Sequence, residues 1–308
     1  MGTRKETIKI NEMKKTLIAI LALVAVACNK AEVIDSNPGE AIAFGDAFVD
    51  NATKADYSST DITAFKVYGT VNDVNIYNGV EVTKGTADYG AAWTCGVTQY
   101  WIEGAAYKFA AVVDADKVNV DDNGMPTSLE YAAVGQKDML YKYVERTGGA
   151  KGNNPLVAFT FTHLLSKAYF TVTNQTPDTK YTYTISNIKV TNAYQNGVYN
   201  VTGDTGSWTG SNAAATAFAS IEDVANGDPK TNAEMLLIPG AKVGVSFTVT
   251  LAINGNTVTT YNYSKDNVAT LAANNVYNFN IALSPNDPIQ FTVTEKPVWN
   301  TPTTNVTL

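Results

Sequence analysis

From residue 41 onward, apolar and polar positions alternate with a period of two nearly everywhere, and helical spacing is scarce. The stretch "KVGVSFTVTLAI" sets Val245, Phe247, Val249, Leu251 and Ile253 on one face against small or polar partners. "NGN" follows and "TVTTYNYS" returns, which predicts a hairpin. A three-residue turn, Asn254–Asn256, places Val249 opposite Tyr261 and Phe247 opposite Tyr263. "NVYNFNIAL" aligns Tyr277, Phe279, Ile281 and Leu283, and "PIQFTVTEKPVW" aligns Ile289, Phe291 and Val293. "AIAFGDAFVD" reads as a first strand, and "TQYWIEGAAYKFAAVVD" as two strands around Glu103–Gly104. The best helical candidate is "SIEDVANG", two turns stopped by Gly227.

One stretch breaks the pattern. In "FTFTHLLSKAYFTVTN", residues 159–174, Phe159 and Phe161 are odd while Phe170 and Val172 are even. A strand that changes phase over five residues must bend there, and the bend holds the chain's only histidine, His163. The clearest linker is "ERTGGAKGNNP", residues 145–155, with three glycines and a proline. It divides residues 41–150 from 151–308, each the size of one β-sandwich. The expected fold class is therefore all-β, two sandwiches in series.

The chain has 308 residues and a net charge of −7, with 22 basic residues of which only Arg4 and Arg146 are arginines. Such a chain cannot build the clustered cations that nucleic acid demands, so no nucleic-acid partner is expected. Motifs for hydrolytic, nucleotide or redox chemistry are missing, and no cofactor is expected. One histidine and one unpaired Cys95 do not make a zinc site, and Cys95 sits among apolar residues as an inert thiol. Asp114, Asp116, Asp121 and Asp122 form an acidic run without the order of a calcium loop, so no metal is assigned. His163, between apolar neighbours, is expected to be a hydrogen-bonded scaffold residue. The reading points away from an enzyme.

"MKKTLIAILALVAVAC", from Met13, has a basic start, an apolar run from Leu17 to Val26 and a small residue before Cys28. This is a secretory signal, with residues 1–12 an extension upstream of the expected true start at Met13. Its end resembles the lipobox of bacterial lipoproteins, which implies a lipidated first residue at Cys28 and a palmitoylated outer-membrane protein. Residues 28–40 then form a tether. Cleavage before Cys28 takes five basic and two acidic residues from 22 and 29, leaving a balance of −10. Attachment to an anionic membrane would therefore rest on the lipid.

Several stretches resemble the fimbrillin family, the type V pilins of the Bacteroidales. They are the lipobox at Cys28, "IAFGDAFVDNATKA", "YWIEGAAYKFAAV", "KDMLYKY", "VAFTFTHLLSKAYFTV", "MLLIPG" and the closing "NNVYNFNIAL…IQFTVTEKPVW". The resemblance implies two transthyretin-like sandwiches, with residues 156–173 opening the second. It implies a cell-surface fimbrial lipoprotein serving adhesion and biofilm, whose partners are other fimbrial subunits. The implied mechanism is protease-triggered strand exchange. The first strand, with Ile42, Phe44 and Phe48 filling pockets, leaves after a cut between Lys54 and Ala55. The donor is Ile289–Trp299, inserting Ile289, Phe291 and Val293. Shaft subunits of the family are cut after arginine, whereas this position is lysine. The competing readings are a tip or anchor subunit, a stand-alone lipoprotein binding a host glycan or protein through exposed Trp93, Trp101 and Trp208, and an undetected hydrolase.

Overall fold

β-Branched and aromatic residues at every second position fit a pleated, half-buried surface. In a computed structural model of the chain nearly all of these runs are strands, and no α-helix occurs among the described residues. The structure describes residues 39–49, 62–85, 93–285 and 289–297. The strands before the bend are β1 (Phe44–Val49), β2 (Ala64–Val71), β3 (Val74–Lys84), β4 (Trp93–Cys95), β5 (Ala106–Val113), β6 (Lys117–Val120), β7 (Pro126–Ala132), β8 (Leu140–Thr147) and β9 (Val157–His163). After it come β10 (Ser166–Asn174), β11 (Tyr181–Thr202), β12 (Thr205–Ala217), β13 (Ile221–Val224), β14 (Lys230–Thr231), β15 (Met235–Leu237), β16 (Lys242–Ile253), β17 (Asn256–Thr270), β18 (Asn275–Leu283) and β19 (Gln290–Pro297).

The first sheet runs β1-β9-β8-β5-β2-β3-β4. Just before β1, Ala41 bridges Tyr100, a few residues past β4, so the two ends of the sheet approach each other. The second sheet runs β14-β10-β18-β19, with β15 also on β10. The third runs β17-β16-β11-β7-β6, with β12 and β13 paired to β11. One core is lined by Phe44, Phe65, Tyr107, Phe109, Phe159 and Phe161 of the first sheet. A second packs Phe170 and Phe279 of the second sheet against Ile185, Val245 and Val249 of the third. A third cluster joins the reverse face of β2 and β5, through Tyr68, Ala110 and Val112, to Leu129, Tyr131 and Tyr199. Strands β2 and β5 are thus covered on both faces.

The phase change is the passage between sheets. Val157, Phe159, Phe161 and His163 are buried in β9, then Ser166, Ala168, Phe170 and Val172 in β10. Leu164 and Leu165, both buried in the third cluster, carry the chain across. The chain passes from the first sheet to the second at Leu164–Leu165. The glycine-rich stretch 145–155 joins β8 and β9, which pair with each other. β6 and β7, early in the sequence, belong to the third sheet through β11.

The expected helix at "SIEDVANG" is instead β13, paired with β11. A register shift there, with Asp223 at φ 51°, turns both Ile221 and Val224 inward. Two apolar residues three apart imitate helical spacing, but a bulge produces the same burial in a strand.

Candidate functional site

The first strand is a segment held on both sides. Its N-terminal part pairs with the chain after β4: Ile42 N–H donates to Gln99 O at 2.8 Å, and Trp101 N–H to Glu40 O at 2.9 Å. Its C-terminal part runs parallel to β9, with Val157 N–H donating to Ala43 O at 2.9 Å and Phe44 level with Val157. Two side chains plug the first core: Ile42 and Phe44 are 6% and 4% exposed. The Phe44 ring centroid lies 5.6 Å from Tyr77, 6.2 Å from Phe65, 6.2 Å from Phe159 and 6.4 Å from Phe109.

Of the expected row Ile42, Phe44 and Phe48, the first two side chains are buried in the first core. The ladder shifts register between Phe44 and Ala47, so Ala47 falls level with Phe159 and packs on the core. Phe48 is level with Thr160, an exposed position, and its side chain lies outside the described residues. The bulge passes Gly45, where a Cβ would meet Leu156 Cβ at 3.0 Å.

A clasp that periodicity did not reveal closes the base of this strand. Glu40 Oε2 accepts from Gly152 N–H at 2.9 Å and Asn154 Nδ2 at 2.8 Å. Asn154 Oδ1 in turn accepts from Gly149 N–H at 2.7 Å. The Asn154 amide, then the Gly152 N–H, then the charge of Lys151 hold the Glu40 carboxyl below the usual carboxylate range. The only signal in the sequence is a polar residue flanking each strand, which predicts a loop but not its partner.

The donor candidates lie at the opposite end of the chain. Strand β19 pairs only with β18 among the described residues. Ile289, Phe291 and Val293 are partly buried against the second core. Phe291 stacks on Phe279 at 6.2 Å and meets Tyr263 at 5.8 Å, with Lys265 Nζ 5.8 Å above its ring. Cys28, Lys54 and Ala55 lie outside the described residues.

The remaining chemistry is structural where it is described. His163 Nδ1 lies 3.0 Å from Asp138 Oδ1, tying the end of β9 to the loop before β8. Asp116 Oδ2 accepts from Ala132 N–H at 2.7 Å, and Asp121 Oδ1 from Asn123 and Met125 N–H, both at 2.9 Å. Among the described residues no group of three acidic, His or Cys side chains could hold a metal. Of the tryptophans expected to be exposed, Trp101 is buried, and Trp93 and Trp208 are partly buried. Trp101 is 6% exposed, Trp93 packs on Phe65 at 5.2 Å, and Trp208 Nε1 donates to Leu164 O at 2.7 Å.

A family model described as fimbrillin-like matches residues 47–297. The chain belongs to the fimbrillin-like family. Among solved structures, it resembles a candidate cell adhesion protein from Bacteroides uniformis. Identity there is 18%, the TM-score is 0.52, and 86% of this chain and 99% of that one are covered. A candidate cell adhesion protein from Parabacteroides distasonis matches at 11% identity and TM-score 0.49, covering 85% and 97% of the two chains. A fimbrilin from Porphyromonas gingivalis matches at 12% identity and TM-score 0.41, covering 85% and 98%. No curated protein matches the sequence. The Bacteroides uniformis likeness establishes a shared fold, and with it the all-β expectation for this fimbrillin-like chain.

Proposed function

We propose that this fimbrillin-like chain is a structural subunit of a surface fimbria, exported as a lipoprotein anchored through Cys28 and assembled by strand exchange. In this reading an N-terminal sandwich holds β1 and a C-terminal sandwich ends in β19. A trypsin-like protease cuts between Lys54 and Ala55, β1 leaves, and Ile289–Trp299 of the next subunit enters the vacated groove. Adhesion is the role of the assembled fibre, with host glycan or protein as the surface it meets.

The supporting observation is that the segment 40–49 lies at the end of the first sheet, paired with β9 and bridged to Tyr100, with its side chains entering the first core. Its core contribution is concentrated in Ile42 and Phe44. Burying two such side chains is worth about 3–6 kcal/mol together. That holds a strand while it is tethered to the chain. Once it is cut loose, a strand held so weakly exchanges for one that fills more of the groove. Vacating it bares the edge of β9, and an exposed strand edge is driven to re-pair. Head-to-tail pairing of this kind does not close, so it grows a filament.

The test is N-terminal sequencing of protein sheared from cells, with a denaturing gel of the same material. The expected result is a start at Ala55, a ladder of heat-resistant oligomers, and loss of that ladder in Lys54→Ala. Assembled fibres whose subunits still begin at a blocked Cys28 would overturn the strand-exchange mechanism and favour an anchor subunit.

A further inference from the structure

Strand β12, "TGSWTGSNAAATA", is 13 residues long and carries no charged residue and no proline. It pairs with β11 on one side, and its other edge has no strand partner among the described residues. Proteins usually blunt such edges with charge, proline or brevity. The other edges of this fold are blunted: β17 has Lys265 and Asp266, β19 has Glu295, Lys296 and Pro297, and β14 has two residues. The neutrality of β12 is therefore an exception that asks for an occupant.

The half Thr205–Ser211 is regular, running in unbroken register from Thr202↔Thr205 to Asn196↔Ser211 before Asn212, at φ 54°, kinks it. It is also held stiff. Trp208 is pinned through Nε1 to Leu164 O, and the rings of Tyr199 and Tyr194 lie over Gly206 and Gly210. A Cβ at those glycines would fall 2.6 Å and 2.0 Å from ring carbons. Thr205, Ser207, Thr209 and Ser211 are exposed. A rigid, neutral edge with small side chains gives up little entropy when another strand joins it.

We propose that this edge docks a second copy of the same chain, with Thr205–Ser211 pairing antiparallel across a two-fold axis at Trp208. That register sets Gly206 against Gly210 and Ser207 against Thr209, so the strand is complementary to itself. Charge selects the occupant. Two copies of a chain with net charge −7 repel over most of their surfaces, and a neutral strand is where they approach without like charges facing. The contact is side by side, separate from the head-to-tail exchange proposed above, and does not depend on it.

The experiment is sedimentation equilibrium of the full chain carrying Cys28→Ser, so that no lipid anchor forms, over a concentration series without protease. A reversible doubling of mass is expected. Ser207→Lys with Thr209→Lys sets the introduced cations directly opposite each other across the axis and is expected to weaken association at least about tenfold. Thr260→Lys, on the edge strand β17, is expected to leave it unchanged. Thermal melting of each variant shows that the fold is intact. A wild-type mass that stays single at every concentration overturns the proposal. So does a dimer that survives the double substitution, dissociates equally with Thr260→Lys, or gives way to binding of a different polypeptide only.

Discussion

The rings of Phe44 and Phe159 lie 6.2 Å apart and 20° from parallel, one on the first strand and one on β9. Phe159 and Phe161 are fully buried, and they form an aromatic floor on which Phe44, from a separate segment of the chain, packs. The Phe44→Ala variant leaves that floor with a cavity. It is expected to cost about 3–5 kcal/mol in urea unfolding of the intact chain. After a cut at Lys54, the same variant is expected to lose its first strand faster than wild type.

Glu40 makes the hold on the first strand sensitive to acid. Its folded carboxyl binds a proton less readily than an ordinary glutamate, because Asn154 and Gly152 donate to its charged form. The clasp is therefore complete above the usual carboxylate range and is lost as pH falls through the lowered pKa of Glu40. Hydrogen exchange of the Trp101 amide, which donates to Glu40 O, reads the opening of this segment. Relative to its intrinsic rate, that amide is expected to exchange faster once pH has fallen below the usual carboxylate range. In Asn154→Ala it is expected to exchange faster at neutral pH.

Gln136 links the segment before β8 to β15. Its Nε2 donates to Leu236 O at 3.0 Å, and Leu236 N–H donates to its Oε1 at 2.8 Å, so the amide imitates a strand pair with β15. Gln136→Ala removes both bonds and is expected to destabilise the chain by about 1–2 kcal/mol, measured by thermal and chemical unfolding.

The hairpin of β16 and β17 was legible in the sequence, with an instructive difference. Phe247 is level with Tyr263 and Val249 with Tyr261, as the alternation predicts. The turn, however, has two residues, Asn254 and Gly255, both at positive φ, and a shift between Leu251 and Ala252 restores the register. Periodicity reports which residues share a face; it does not say where the odd residue is absorbed. The same limit explains Phe48, whose phase depends on the shift near Gly45, and the false helical spacing of Ile221 and Val224. Long-range pairings were not legible at all. Nothing local in "AIAFGDAFV" states that it lies parallel to Val157–Phe161, or that β7 joins β11. Such contacts are chosen by the packing of whole faces.

The central claim is that the first strand must depart for subunits to join. A disulfide across the Ala41–Tyr100 bridge tests this most directly, because it retains the strand without preventing the cut. The measurement is the oligomer ladder of Ala41→Cys/Tyr100→Cys, in a Cys95→Ser background, after digestion with a trypsin-like protease. The account predicts cleaved but single subunits under oxidising conditions, and a full ladder once the disulfide is reduced. The same ladder in both states would contradict it.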